Sequence, residues 1–409
     1  MAELHAQSAI AYDIIVCSLT PNVLFIAQPS LPTWDDTSYV NQIIWQGPLT
    51  MHYRPILDSL RRFDPPKALQ ESKGTLINLA LNENSLGYSP QVGQVLSAAL
   101  ASASRYPSTF CDALREKLAH HHDIDPQSLV FGSGIFEMLS LISSVFVRDG
   151  DDVVIPTPSF GWYNLTTRLN GGNVVAVPLT DHTINLDAVL EAITPRTRLI
   201  WLCNPHNPMG TMITSGALQA FLANVPADIP VVLDEAYREY AVAPDVPDSI
   251  ALTRQYANLI VLRTFSKAYG LAGLRIGYAV ANAETVSLLH KVKVPPNVNH
   301  LAQITVSAAL DDSDFLTRSV QLVRDGLADY YACCDALGLR YIPSFANFLM
   351  IDVECNIDEA AKAFLEAGIV LRSGHEVGLP SWIRVTIGNA DENQRVFVIL
   401  RKLAALRQP

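Results

Sequence analysis

The segment Arg263-Thr264-Phe265-Ser266-Lys267 closes an apolar run with two hydroxyls and a lysine, and Arg275 follows a few residues on. A lysine beside a phosphate site suits imine formation with an aldehyde cofactor, provided its amine is partly desolvated. Thr264, Ser266 and the guanidinium of Arg275 can bind a phosphate from several sides. Read alone, a Ser-Lys pair fits an exposed surface lysine equally well.

Other clusters of the same kind also follow apolar runs. Asp234-Glu235-Ala236-Tyr237 comes after residues 231–233. A carboxylate at a buried strand end needs a cation or hydrogen bonds, and Asp234 suits either a protonated pyridine nitrogen or a helix N-cap. Asn204-Pro205-His206-Asn207-Pro208-Met209-Gly210 makes a rigid turn that fixes an amide side chain in space. Asn207 there suits a phenolic oxygen, or nothing beyond the turn. Gly132-Ser133-Gly134 opens a helix with backbone N–H groups suited to a phosphate. It is neither a dinucleotide fingerprint nor a Walker loop, because Glu137 stands where the third glycine belongs and no GK[ST] follows. Phe160, in Pro158-Ser159-Phe160, can stack on a flat ring or pack in a core.

These clusters must be held by the elements before them. Residues 129–131, 152–155, 173–177, 199–203, 231–233, 259–262 and 277–281 are short apolar runs bounded by turn signals and separated by helical stretches. That pattern predicts an α/β fold in three layers, a mostly parallel sheet covered on both faces. Chemistry in such sheets sits beyond the strand ends, which is where the clusters fall. Residues 315–337 and a tail from 392 read as helices. With strands at 348–352, 369–371 and 383–386 they predict a smaller α+β domain.

The bulk numbers exclude some classes of function. The chain has 409 residues, 49% hydrophobic and 17% charged, with a net charge of −11. That length and composition fit two domains with large cores. The acidic balance argues against a general nucleic-acid binder. Six cysteines without a CxxC pair fit a reduced, cytoplasmic setting. His120, His121 and His122 read as solvated helix surface, not a metal site, because consecutive helical residues diverge. The first fifty residues carry no basic signal-peptide start, and their most apolar stretch holds Pro21 and is too short for a bilayer. They are expected to be an extension outside the catalytic fold, and upstream sequence translated from a misplaced start is one origin for it.

Taken in order, Asn82-Glu83-Asn84, Arg105-Tyr106-Pro107, the Gly132 loop, Asn207-Pro208-x-Gly210, Asp234-x-Ala236-Tyr237, Ser266-Lys267, Arg275 and Ile383-Arg384-Val385-Thr386-Ile387-Gly388 form an ordered set. The set resembles fold-type I pyridoxal-phosphate aminotransferases, within them the histidinol-phosphate aminotransferase-like group. The resemblance implies an aspartate aminotransferase-like architecture. Its expected parts are an extension at 1–50, an arm with part of the small domain at 51–90, a large cofactor-binding domain at 91–298 and a small domain at 299–409.

It also implies roles. Lys267 is the Schiff-base lysine and proton shuttle, and Asp234 pairs with the pyridine nitrogen. Tyr237 and Asn207 contact the phenolic oxygen, and Phe160 lies on the ring face. Ser133 and Gly134 through their backbone, with Thr264, Ser266 and Arg275, hold the phosphate of pyridoxal 5'-phosphate. Tyr106 crosses to the neighbouring subunit of a homodimer. Arg384 grips the substrate carboxylate, and Arg372 is either a second anion contact or a surface charge. The expected substrates are an amino acid, or an amino alcohol phosphate such as histidinol phosphate, and a 2-oxo acid, exchanged in ping-pong order. Competing implications are a decarboxylase of the threonine-phosphate decarboxylase-like type and a non-catalytic relative. Two departures stand out. Ile135-Phe136 replaces a small or polar pair, and Ser85-Leu86 stands where Pro-Tyr is usual, which weakens the case for histidinol phosphate.

Overall fold

In a computed structural model that describes residues 54–60 and 76–406, the chain builds two main sheets. The expected extension at 1–50 lies outside the described residues. The strands are β1 (Ile77–Asn78), β2 (Leu129–Gly132), β3 (Asp152–Thr157), β4 (Asn173–Pro178), β5 (Thr197–Cys203), β6 (Val231–Asp234), β7 (Leu259–Thr264), β8 (Gly277–Val280), β9 (Tyr341–Ile342), β10 (Phe348–Asp352), β11 (Ile369–Val370), β12 (Arg372–Ser373) and β13 (Trp382–Thr386). Seven of them form one sheet in the order β2-β8-β7-β6-β5-β3-β4. Only β8 runs against its neighbours. This is the mostly parallel α/β sheet that the sequence predicts.

Its strands are apolar on both faces because both are covered. Val154, Ile200, Leu202, Val231, Leu233 and Val261 enter one core. The intervening Val153, Ile155, Leu199, Trp201, Val232 and Ile260 enter the other. Period-two alternation divides one run of sequence between two layers.

The antiparallel sheet β12-β13-β10-β9 packs with helices Ser313–Leu337 and Ala390–Ala405 around a further core. β1 adds a short parallel pair with β11. Helix His300–Asp311, assigned by sequence to the smaller domain, instead sends Ala302, Val306 and Ala309 into a core of the large sheet. The terminal helix starts at Ala390 and not at Glu392, because Asn389 and Glu392 form a capping box. The expectation of a solvated histidine run fails at His122. Its Nε2 hydrogen-bonds the Tyr278 hydroxyl at 2.7 Å, and burial pushes its pKa down to about 3.

The loop after β7 is fixed by a close backbone approach. Gly270 has φ +70°, and a Cβ there would lie 1.8 Å from the carbonyl oxygen of Gly87. Gly270→Ala is therefore expected to cost about 3 kcal/mol or more in left-handed strain and overlap. Thermal unfolding should show a melting temperature lowered by roughly 6–12 °C.

Candidate active site

Parallel strands β5, β6 and β7 end side by side, with Cys203 opposite Asp234 and Asp234 opposite Leu262. Their loops deliver Asn207, Tyr237 and Lys267 to one place. With Phe160, Asp234, Thr264, Ser266, Arg275, Arg372 and Arg384, these residues line a cavity of about 350 Å³. The sequence-predicted residues that do not line it are Ser133, Gly134 and Tyr106. Tyr106 is 92% exposed.

Within this lining, Asp234 is 4% exposed. Burial raises its carboxyl to about 6, against the pull of two hydrogen bonds. The Tyr163 hydroxyl donates to Oδ2 at 2.7 Å, and the Ala236 amide donates to Oδ1 at 3.1 Å. Among the described residues no basic side chain bonds Asp234, so a cationic ring nitrogen would meet an unmatched buried carboxylate. Tyr163 in turn stacks on Trp201 at 5.1 Å between centroids.

Beside it, the Tyr237 hydroxyl accepts from Asn82 Nδ2 at 2.9 Å and from Asn207 Nδ2 at 3.3 Å. Lys267 Nζ donates to the Leu81 carbonyl at 2.8 Å. Burial, reinforced by the Arg384 and Arg275 charges, pushes this amine down to about 7 against the opposing pull of Glu83 and Asp234. The lysine is thus readily unprotonated near neutrality, as imine formation needs.

The phosphate end differs in detail from expectation. The Ser133 amide donates to Glu137 Oε2, and the Gly134 amide turns back to Gly132 O at 2.8 Å. Both amides expected to cradle a phosphate are therefore committed within the protein. The donors left by helix geometry are the amides of Ile135, Phe136 and Glu137, in the first turn of helix Ile135–Phe146. Gly134 contributes space instead, since a Cβ there would lie 2.5 Å from Arg275 Nη2. Thr264 Oγ1 donates to Ser266 Oγ at 3.0 Å, placing two hydroxyls together.

At the opposite end, Arg384 Nη1 donates to Asn207 Oδ1 at 2.6 Å and Nη2 to the Ala80 carbonyl at 2.9 Å. Its Nε is buried with no hydrogen-bond partner among the described residues. Burial pushes Arg384 down to about 10, which leaves it charged at neutral pH. Arg372 lies opposite Arg384 in the β12–β13 pair and lines the same cavity. It pairs at 3.5 Å with Glu376.

Sequence reasoning missed Tyr163 and Asn82. Tyr163 had a faint signal, lying one helical turn beyond Phe160. Asn82 had none as a partner of Tyr237, because the contact spans 155 positions. As a set, a lysine unprotonated near neutrality, a buried carboxylate, two hydroxyls, an arginine and a helix N-terminus fit a pyridine aldehyde bearing a phosphate.

Comparison with known proteins agrees. The family described as "Aminotransferase class I and II" matches residues 74–400. A histidinol-phosphate aminotransferase of Halalkalibacterium halodurans is 39% identical over 360 residues, 87% of this chain and 98% of that protein. One of Caldicellulosiruptor saccharolyticus is 39% identical over 356 residues, covering 86% and 99%. Among solved structures, the histidinol-phosphate aminotransferase of Sinorhizobium meliloti in complex with pyridoxal-5'-phosphate has a TM-score of 0.81 at 28% identity. It covers 87% of this chain and 98% of its own.

Proposed function

The chain belongs to the class I and II aminotransferases and is a pyridoxal-phosphate-dependent enzyme of fold type I, and from that premise we propose that it takes its amino group from histidinol phosphate and gives it to a 2-oxo acid. The observation that carries the substrate is the cross-strand pair Arg372–Arg384. Like charges directly opposite each other in a sheet are destabilising. Two arginines facing one cavity, one with an unpartnered buried Nε, suit an anion bound between them. A phosphate monoester fits that demand, and so does the carboxylate of the acceptor. The relatives named histidinol-phosphate aminotransferases support the same donor. Leu86, which weakened the case from sequence, does not line the cavity.

Bound pyridoxal phosphate supplies an aldehyde that captures the amine covalently and a ring that accepts electrons from the substrate carbon. In this reading Lys267 would hold the aldehyde, and its amine would take and return the proton at the substrate carbon. Asp234 would keep the ring nitrogen protonated, Tyr237 and Asn207 would hold the phenolic oxygen, and Phe160 would lie against the ring. Thr264, Ser266, Arg275 and the amides of Ile135 and Phe136 hold the phosphate. Tyr106, exposed on one chain, is available to the neighbouring site of a homodimer. Among the described residues no helix is long and apolar enough to cross a membrane, and we place the enzyme in the cytoplasm with small-molecule substrates.

The test is a visible spectrum of the pyridoxal-phosphate-loaded protein. Histidinol phosphate should bleach the band of the bound cofactor, and 2-oxoglutarate should restore it. Bleaching only by an ordinary α-amino acid would replace the donor. Carbon dioxide released from phosphothreonine, with no keto acid formed, would make the chain a decarboxylase. Arg384→Lys keeps the charge but loses the planar fork. It is expected to lower kcat/KM for histidinol phosphate by about 10–100-fold, chiefly through KM, in steady-state assays.

A further inference from the structure

Ile135 and Phe136, the pair that departs from the resembling enzymes, behave differently. Ile135 also lines the cavity but is otherwise buried in a core of the large sheet. Phe136 is 38% exposed and lines the cavity, where a polar group would be better solvated. Its ring meets two side chains of the site and the neighbouring Trp162. The Arg275 guanidinium carbon lies 6.0 Å from the ring centroid. Phe160 meets it edge-on at 5.5 Å and Trp162 at 4.7 Å. Among the described residues Arg275 is otherwise held by one bond from Nη1 to the Ala272 carbonyl, at 2.9 Å, and by the space that Gly134 leaves.

The geometry points to Phe136 as a positioning residue for the cofactor, bracing Arg275 toward the phosphate and Phe160 against the ring. A cation over an aromatic face and edge-to-face aromatic pairs are both attractive and directional. One ring thereby replaces the polar side chains that the departure removed. This inference rests on the reading of the cavity as the pyridoxal phosphate site.

The experiment is a fluorescence titration of the apoprotein with pyridoxal phosphate. Failure of the wild-type protein to bind would sink the cavity reading itself. With wild-type binding established, Phe136→Ala should raise Kd about tenfold. Phe136→Leu should behave like Phe136→Ala, because it restores volume without a π face, while Phe136→Trp should stay within about threefold of wild type. The apoprotein's melting temperature should move by no more than about 2 °C. In an Arg275→Ala background, Phe136→Ala should add less than about threefold, since the shared partner is gone. Unchanged Kd in Phe136→Ala, full rescue by Phe136→Leu, or additive losses with Arg275→Ala would overturn the inference.

Discussion

Lys267→Ala is expected to lose transamination by on the order of 10⁴-fold, the combined loss of a covalent anchor and a general base. The geometry explains why no neighbour replaces it. Among the cationic side chains lining the cavity, the others are Arg275, Arg372 and Arg384, and an arginine does not give up its proton in this pH range. The amine must be unprotonated to act, and the fall of its pKa to about 7 makes about half of it so at neutral pH. At an ordinary lysine value that fraction would be below about one in a thousand. Labelling of Lys267 by an amine-directed reagent in the apoprotein should therefore follow a titration with midpoint near 7. The same shift has a sign for stability. The folded state releases this proton more easily than the unfolded chain, so the apoprotein should gain stability as pH rises from about 7 to about 10.5. Activity in Lys267→Ala within tenfold of wild type, or a labelling midpoint near 10, would remove Lys267 from its role. Partial recovery on adding methylamine would identify the missing function as that of a base.

The scaffold behind this lysine is written plainly in the sequence, because a strand buried on both faces has to be apolar throughout. β5, β6 and β7 could be read from that requirement alone. The polar residues that end them stand out for the same reason. Lys267, Asp234 and Asn207 are interruptions at places where the sheet no longer needs hydrophobicity. The partners of these residues were much less legible. Tyr163 reaches Asp234 from a helix 71 positions earlier, and a tyrosine one turn from Phe160 reads as core as readily as donor. The commitment of the Ser133 amide to Glu137 depends on a side chain folding back across its own helix N-terminus. The Gly-Ser-Gly spacing shows the turn but not which amides stay free. Arg372 became interpretable only when register set it opposite Arg384, since pairing between strands is fixed by tertiary structure and not by local pattern.

Asp234→Asn should move activity and apoprotein stability in opposite directions, which separates a functional carboxylate from a structural one. Burial holds the folded-state pKa at about 6, above the usual carboxylate value. The folded state therefore binds this proton more tightly than the unfolded chain, and apoprotein stability falls as pH rises from about 4 to about 6. At neutral pH the ionised group is a cost that the Tyr163 and Ala236 hydrogen bonds only partly offset. An amide of the same shape never ionises. Asp234→Asn apoprotein should then melt above wild-type apoprotein at pH 7 and lose the stability change between pH 4 and 6. The loaded enzyme should lose about 10²–10³-fold in kcat, because a neutral amide cannot hold the ring nitrogen protonated while charge develops. A residue kept for stability alone would give the reverse, a lower melting temperature and catalysis little changed once the protein is folded. On the proposed reading, a bound cofactor would remove the cost by placing a cation beside the carboxylate. The gain in melting temperature on adding pyridoxal phosphate should accordingly be larger for wild type than for Asp234→Asn, and an equal gain would show that the pair does not form.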